Sequence, residues 1–88
     1  MLQNDFVIIN RLGLHARASA LFVKTANRFA SDIKLSREDV EVNGKSIMGI
    51  MMLAASKGVT VRVVAEGEDE ADAMEAIGDL INNGFNEE

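Results

Sequence analysis

Eighty-eight residues are enough for a single domain over positions 1–88 and too few for two independent cores. With no cysteine and one histidine, neither disulfides nor a closed metal cage can supplement that core, so packing must hold it together and no metal or cofactor is expected. The net charge of −5 is unevenly spread, since residues 63–88 carry nine acidic and no basic side chains; an acidic whole without an aromatic stacking platform argues against nucleic acid as a partner.

The start, "MLQNDFVII", lacks the charged and then apolar organisation of a signal peptide. No window approaches the roughly 20 apolar residues of a membrane span. We therefore expect a cytoplasmic protein with no membrane insertion. "DFVIIN" is a short β-branched run and predicts a strand from about residue 4 to residue 9. From Ala16 the period changes. Ala18, Phe22, Thr25 or Ala26, and Phe29 recur at three- and four-residue spacing, which predicts a helix of about a dozen residues. Arg17, Lys24 and Arg28 lie on its polar side, and with Arg11 they form a segment free of acids that would steer an anion or an acidic protein surface toward it.

Ile33 and Leu35 alternate with polar neighbours, as do Val40 and Val42, which predicts two paired strands, and Asn43-Gly44 supplies a turn. Ser46 stands where it can cap the short apolar helix of "IMGIMMLAAS", placed at an edge of the fold. Ile47, Met48, Met51 and Met52 are too many for one buried face of so short an element, so some are expected at the surface. "VTVRVVAEG" is a further strand, closed by Gly67. Asp69 with Asp72 resembles a capping pair for a last helix carrying Met74, Ile77, Leu80 and Ile81, and Gly84 stops that helix before a loose acidic tail. The order β-α-β-β-α-β-α implies an α+β two-layer open-faced sandwich, a four-stranded antiparallel sheet with three helices on one face.

His15 is the residue with chemical potential. In the plainest reading it is a half-buried imidazole satisfying a helix end. Gly13 offers a flexible approach to it, and the helix that follows exposes N–H groups. A ring nitrogen accepting from one of these would leave the imidazole neutral and nucleophilic. A phosphoryl group taken up there would lie at a helix N-terminus with Arg17 in the first turn, where both the dipole and the guanidinium favour anions. An autonomous enzyme is harder to build. No acid is placed to orient the ring toward Ser19, which sits one turn into the helix. "NGKS" fails as a nucleotide loop, because Asp39 stands where the leading glycine is required.

"GLHARASALFVKTANRF", "GKSIMGIMMLAA" and "AEGEDEADAMEAI" together resemble the HPr family, the phosphocarrier proteins of the phosphoenolpyruvate-dependent phosphotransferase system. The resemblance spans essentially the whole chain. It implies a phosphotransfer intermediate rather than an autonomous enzyme. His15 would be phosphorylated on Nδ1 by enzyme I, assisted by Arg17, and would pass the group to an enzyme IIA component. It also implies that Ile47, Met48, Met51 and Met52 form the apolar part of a docking surface, with Lys24 and Arg28 as basic contacts, on a protein acting as a monomer. Adaptable methionines suit a surface that meets different proteins in turn. Ser46 matches a second family site, phosphorylated in many members by HPr(Ser) kinase/phosphatase, where the added charge would oppose docking to acidic surfaces. Two positions depart from the family pattern. Ala18 replaces a common proline, and a glycine is common near Ala54. "LAAS" resembles proteobacterial members, some of which serve a nitrogen-related branch in place of sugar uptake. The competing reading is a non-catalytic interaction module in which the basic segment and the exposed methionines bind a partner and His15 only caps.

Overall fold

A computed structural model describes residues 1–87. Eight elements follow in order: β1 (Leu2–Val7), α1 (Ala16–Ala26), β2 (Asp32–Arg37), β3 (Val40–Asn43), α2 (Ile47–Met52), β4 (Thr60–Glu66), α3 (Glu70–Asn82) and a 3₁₀ turn, Gly84–Asn86. The strands form one antiparallel sheet in the order β1-β4-β2-β3. This is the expected α+β open-faced sandwich. Among the described residues, no helix is long and apolar enough to cross a membrane, and no group of three or more His, Asp or Glu is placed to hold a metal ion.

Alternation along the central strands explains the two faces. Ile33 and Leu35 of β2 and Val61, Val63 and Ala65 of β4 are buried beneath the helices, while Lys34, Thr60 and Arg62 point the other way. On the open face Arg62 pairs with Asp5 at 2.9 Å across β1 and β4, and its guanidinium holds the Asp5 carboxyl below its ordinary value. Phe22 from α1, Ile50 from α2, and Ile77 and Ile81 from α3 complete the core. Truncating Phe22, which is fully buried, would cost roughly 3–5 kcal/mol, a large share of the stability of so small a domain.

Several boundaries differ from expectation, each for a physical reason. β1 runs two residues earlier than predicted, and Ile8 lies beyond it. Ile8 is nonetheless buried and exchanges bonds with the chain entering β4, donating to Val59 O at 2.9 Å and accepting from Gly58 N at 2.7 Å. Phe29 lies outside α1, which ends at Ala26. Its ring lies under Arg28, whose guanidinium carbon is 5.4 Å from the ring centroid. Asp69 occupies the N-cap position of α3, yet its side chain does not cap. Its carboxylate instead accepts from the backbone of Ala30 and Ser31, each at 2.9 Å, and from the Ser31 hydroxyl. Those bonds, the hydroxyl's foremost, hold the Asp69 carboxyl below its ordinary range and tie the exit of α1 to the start of α3.

The tail is the largest correction. Gly84 does end α3, but residues 85–87 are not loose; Glu88, the rest of the expected tail, lies outside the described residues. Gly84, Phe85 and Asn86 take φ values of +64°, +55° and +60°, a left-handed curl that buries Phe85 and brings Glu87 back onto the loop before α1.

Candidate functional site

The site is built where β1 hands over to α1. Asn10 is buried, and its Nδ2 donates to Gly13 O at 2.8 Å, closing the loop on itself. Gly13 is not a flexible approach. It is buried at φ +65°, and a Cβ there would come within 2.5 Å of Ala55 O. Leu14 N donates to that same carbonyl at 2.9 Å, so the segment leading to His15 is seated on the loop leaving α2.

His15 then falls at the N-cap of α1, in extended conformation. Its carbonyl accepts from Ser19 N at 2.9 Å and so starts the helical ladder. Its ring does not cap. This corrects the expectation that a ring nitrogen accepts from the first turn. The N–H groups of Ala16, Arg17 and Ala18 consequently have no partner among the described residues. The imidazole instead places Nε2 3.0 Å from Oε2 of Glu87. The same oxygen accepts from Asn10 Nδ2, and Oε1 accepts from Leu12 N at 3.4 Å. The Asn10 bond, ahead of the one from His15, holds the Glu87 carboxyl below its ordinary value. Sequence reasoning missed Glu87 altogether. The one signal for it was Phe85, an aromatic residue in an otherwise polar tail.

Arg17 sits in the first turn of α1, exposed, with no hydrogen bond or ion pair among the described residues. Ser19 is buried and donates to Leu14 O at 3.3 Å, a packing role that removes it as a nucleophile. Lys24 lies in the last turn of α1, whereas Arg28 falls beyond its C-cap Asn27 and so is not on the polar side of the helix as expected. Arg28 lies about 20 Å from His15 at 1.5 Å per helical residue, beside Asp72, Glu75 and Asp79 of α3. The structure therefore brings His15 and Arg17 together and leaves Arg28 at the far end.

α2 packs against α1 and the edge strand β3. Ser46 caps it as expected, its Oγ accepting from Gly49 N at 3.0 Å. Only Ile50 turns inward; Ile47, Met48, Met51 and Met52 are all exposed, Met48 and Met52 to 77%. Leu12, on the loop before His15, is exposed as well. Four of the six residues of α2 thus leave large apolar side chains at the surface, an uncommon arrangement for a free face. Arg37 Nη1 donates to Leu53 O and Ala54 O, fixing the exit of α2 where Ala54 takes φ +49°. The two surface clefts, around Asp5 and Arg62 and between Arg28 and α3, both lie away from His15. The site is thus an open surface with a ring at its edge, suited to chemistry between proteins more than to a small substrate held in a pocket.

Comparison with known proteins agrees with this fold. Residues 2–83 match the family profile described as the PTS HPr component phosphorylation site. Among curated relatives, the phosphocarrier protein HPr of Neisseria meningitidis serogroup A is 54% identical over 87 residues, covering 99% of this chain and 98% of its own. Among solved structures, HPr-C-His from Thermoanaerobacter tengcongensis superposes with a TM-score of 0.96 at 49% identity, covering 100% of this chain and 99% of its own. An HPr dimer from the same organism matches with a TM-score of 0.79 at 48% identity, covering 99% of this chain and 100% of its own.

Proposed function

The chain belongs to the HPr family of phosphocarrier proteins of the phosphotransferase system, and from that premise we propose that His15 is the residue that bears the phosphoryl group. The protein is a phosphoryl carrier that shuttles the group between enzyme I and an enzyme IIA component. The observation that supports His15 above all others is its place at the N-cap of α1 with the three N–H groups of the first turn unpartnered. A phosphoryl group on Nδ1 would meet those donors, the positive end of the helix and the free guanidinium of Arg17. Few ligands and an open edge also suit a group that must leave again.

The exposed Ile47, Met48, Met51 and Met52, with Leu12, form the apolar part of the surface that enzyme I and enzyme IIA would share. Lys24, and more remotely Arg28, extend it with positive charge. Phosphorylation of Ser46 by an HPr(Ser) kinase/phosphatase would put about −1.5 to −2 charges at the start of α2, beside that surface, and weaken docking to acidic partners. The working unit is a cytoplasmic monomer.

Incubation with enzyme I and phosphoenolpyruvate is expected to give an acid-labile, base-stable adduct on His15, and none on His15→Ala. Absence of label under conditions that label another HPr would refute the assignment. A His15→Ala protein that retained full function in the transport chain would instead favour the non-catalytic interaction module. Incubation with the kinase and ATP tests Ser46 separately; an unmodified Ser46 is a cap only.

A further inference from the structure

The carrier reading does not explain why the last residues curl back onto the ring. Three consecutive left-handed residues, Gly84 to Asn86, are unfavourable unless the contacts made are worth more than the strain. Phe85 anchors the curl in the core. Its outcome is a single carboxylate, that of Glu87, placed on Asn10 Nδ2, Leu12 N and His15 Nε2 together.

A carboxylate held below its ordinary value is ionised at neutral pH and can only accept. The 3.0 Å contact therefore requires the hydrogen on Nε2, which leaves the lone pair of a neutral ring on Nδ1. We propose that Glu87 is a positioning residue for phosphoryl transfer, holding the His15 ring in the Nε2–H tautomer and fixing its rotation so that Nδ1 faces the incoming phosphorus. The inference rests on His15 being the phosphoacceptor. In the transfer, the Nδ1 lone pair forms the new P–N bond while the P–N bond of the donor phosphohistidine breaks and its electron pair returns to the donor ring. The Nε2 proton stays where it is. The His15 ring takes up the positive charge, directly against Glu87. Passing the group on reverses these changes, and no proton need be moved in either direction. Asn10 and Leu12 N keep the carboxylate in place throughout, so the ring is guided by a partner that is itself guided.

The test uses the full chain with its histidine ring ¹⁵N-labelled, in wild type, Glu87→Ala and Glu87→Gln. In wild type the neutral ring is expected to show Nε2 as the protonated nitrogen and Nδ1 as the bare one. In Glu87→Ala the Nδ1–H form should gain population, and labelling by enzyme I should slow roughly three- to tenfold in kcat with KM for this protein unchanged, a discounted figure because the pair is partly exposed. Glu87→Gln keeps an accepting oxygen and should recover most of the rate. Glu87→Ala with wild-type ring signals, or with wild-type rate, overturns the proposal, as does a loss confined to KM, which would make Glu87 a docking residue. Wild type that is never labelled at His15 defeats the carrier assignment instead, while leaving the tautomer measurement to decide what holds the ring.

Discussion

α1 and α2 begin in opposite ways within one small surface. At α2, Ser46 Oγ accepts from Gly49 N and closes the first turn. At α1, His15 occupies the same position without capping, and the first three N–H groups stay open. The same backbone problem has a stabilising solution in one helix and is left unsolved in the other. Local stability is withheld at the helix start that carries His15, as the proposed phosphoacceptor role would require, and supplied at the one that carries Ser46.

The most decisive way to break this contrast is to close α1. His15→Ser should abolish phosphoryl acceptance completely while raising stability by about 0.5–1 kcal/mol, through a cap like the one at α2. Urea unfolding beside enzyme I labelling would show both; a destabilised variant would mean that the ring does more for the fold than its hydrogen bonds indicate. Next in size is the seam between the helices. Gly13→Ala forces a Cβ toward Ala55 O at a left-handed φ and should cost about 1–3 kcal/mol, with slower phosphoryl acceptance because the lead-in to His15 shifts. Ser46→Ala opens α2 and should cost roughly 1 kcal/mol with His15 labelling unchanged, an outcome readable in the same assays. The smallest effect is expected at the exit of α2. Ala54→Gly relieves a left-handed alanine but adds chain entropy, so a gain of about 0.5 kcal/mol is expected, and thermal unfolding is sensitive enough to detect it.

The positions of His15, Arg17 and Ser46 at the starts of two helices were legible in the sequence because each depends on local chain direction. A change of hydrophobic period marks a helix start, and a residue's offset from that start fixes whether it caps or projects. That some apolar residues of α2 must be exposed was legible by the same counting, since one short helix face has no room for them all; that all four are exposed was not. Asp69 was misread because an aspartate before a helix satisfies the local capping pattern, while its real partners at Ala30 and Ser31 lie 39 and 38 residues away. Glu87 was invisible for a stronger version of that reason. Its contact with His15 spans 72 residues, and only the oddly placed Phe85 hinted that the tail was anchored. Ala18, at the position where proline is common, starts the helix without visible disturbance, fully buried in its third position. Its N–H is one more donor than a proline would leave.

The strand order has a consequence for how this molecule comes into being on the ribosome. β1 precedes the other strands in the chain and, among the described residues, has β4 as its only neighbour in the sheet, so residues 2–7 must wait for residues 60–66 to emerge. The seat for the loop before His15 arrives at nearly the same moment, with Ala55. A nascent chain therefore exposes its histidine early but does not organise it until β4 has emerged, and Glu87, whose carboxylate meets the ring, follows about twenty residues later still.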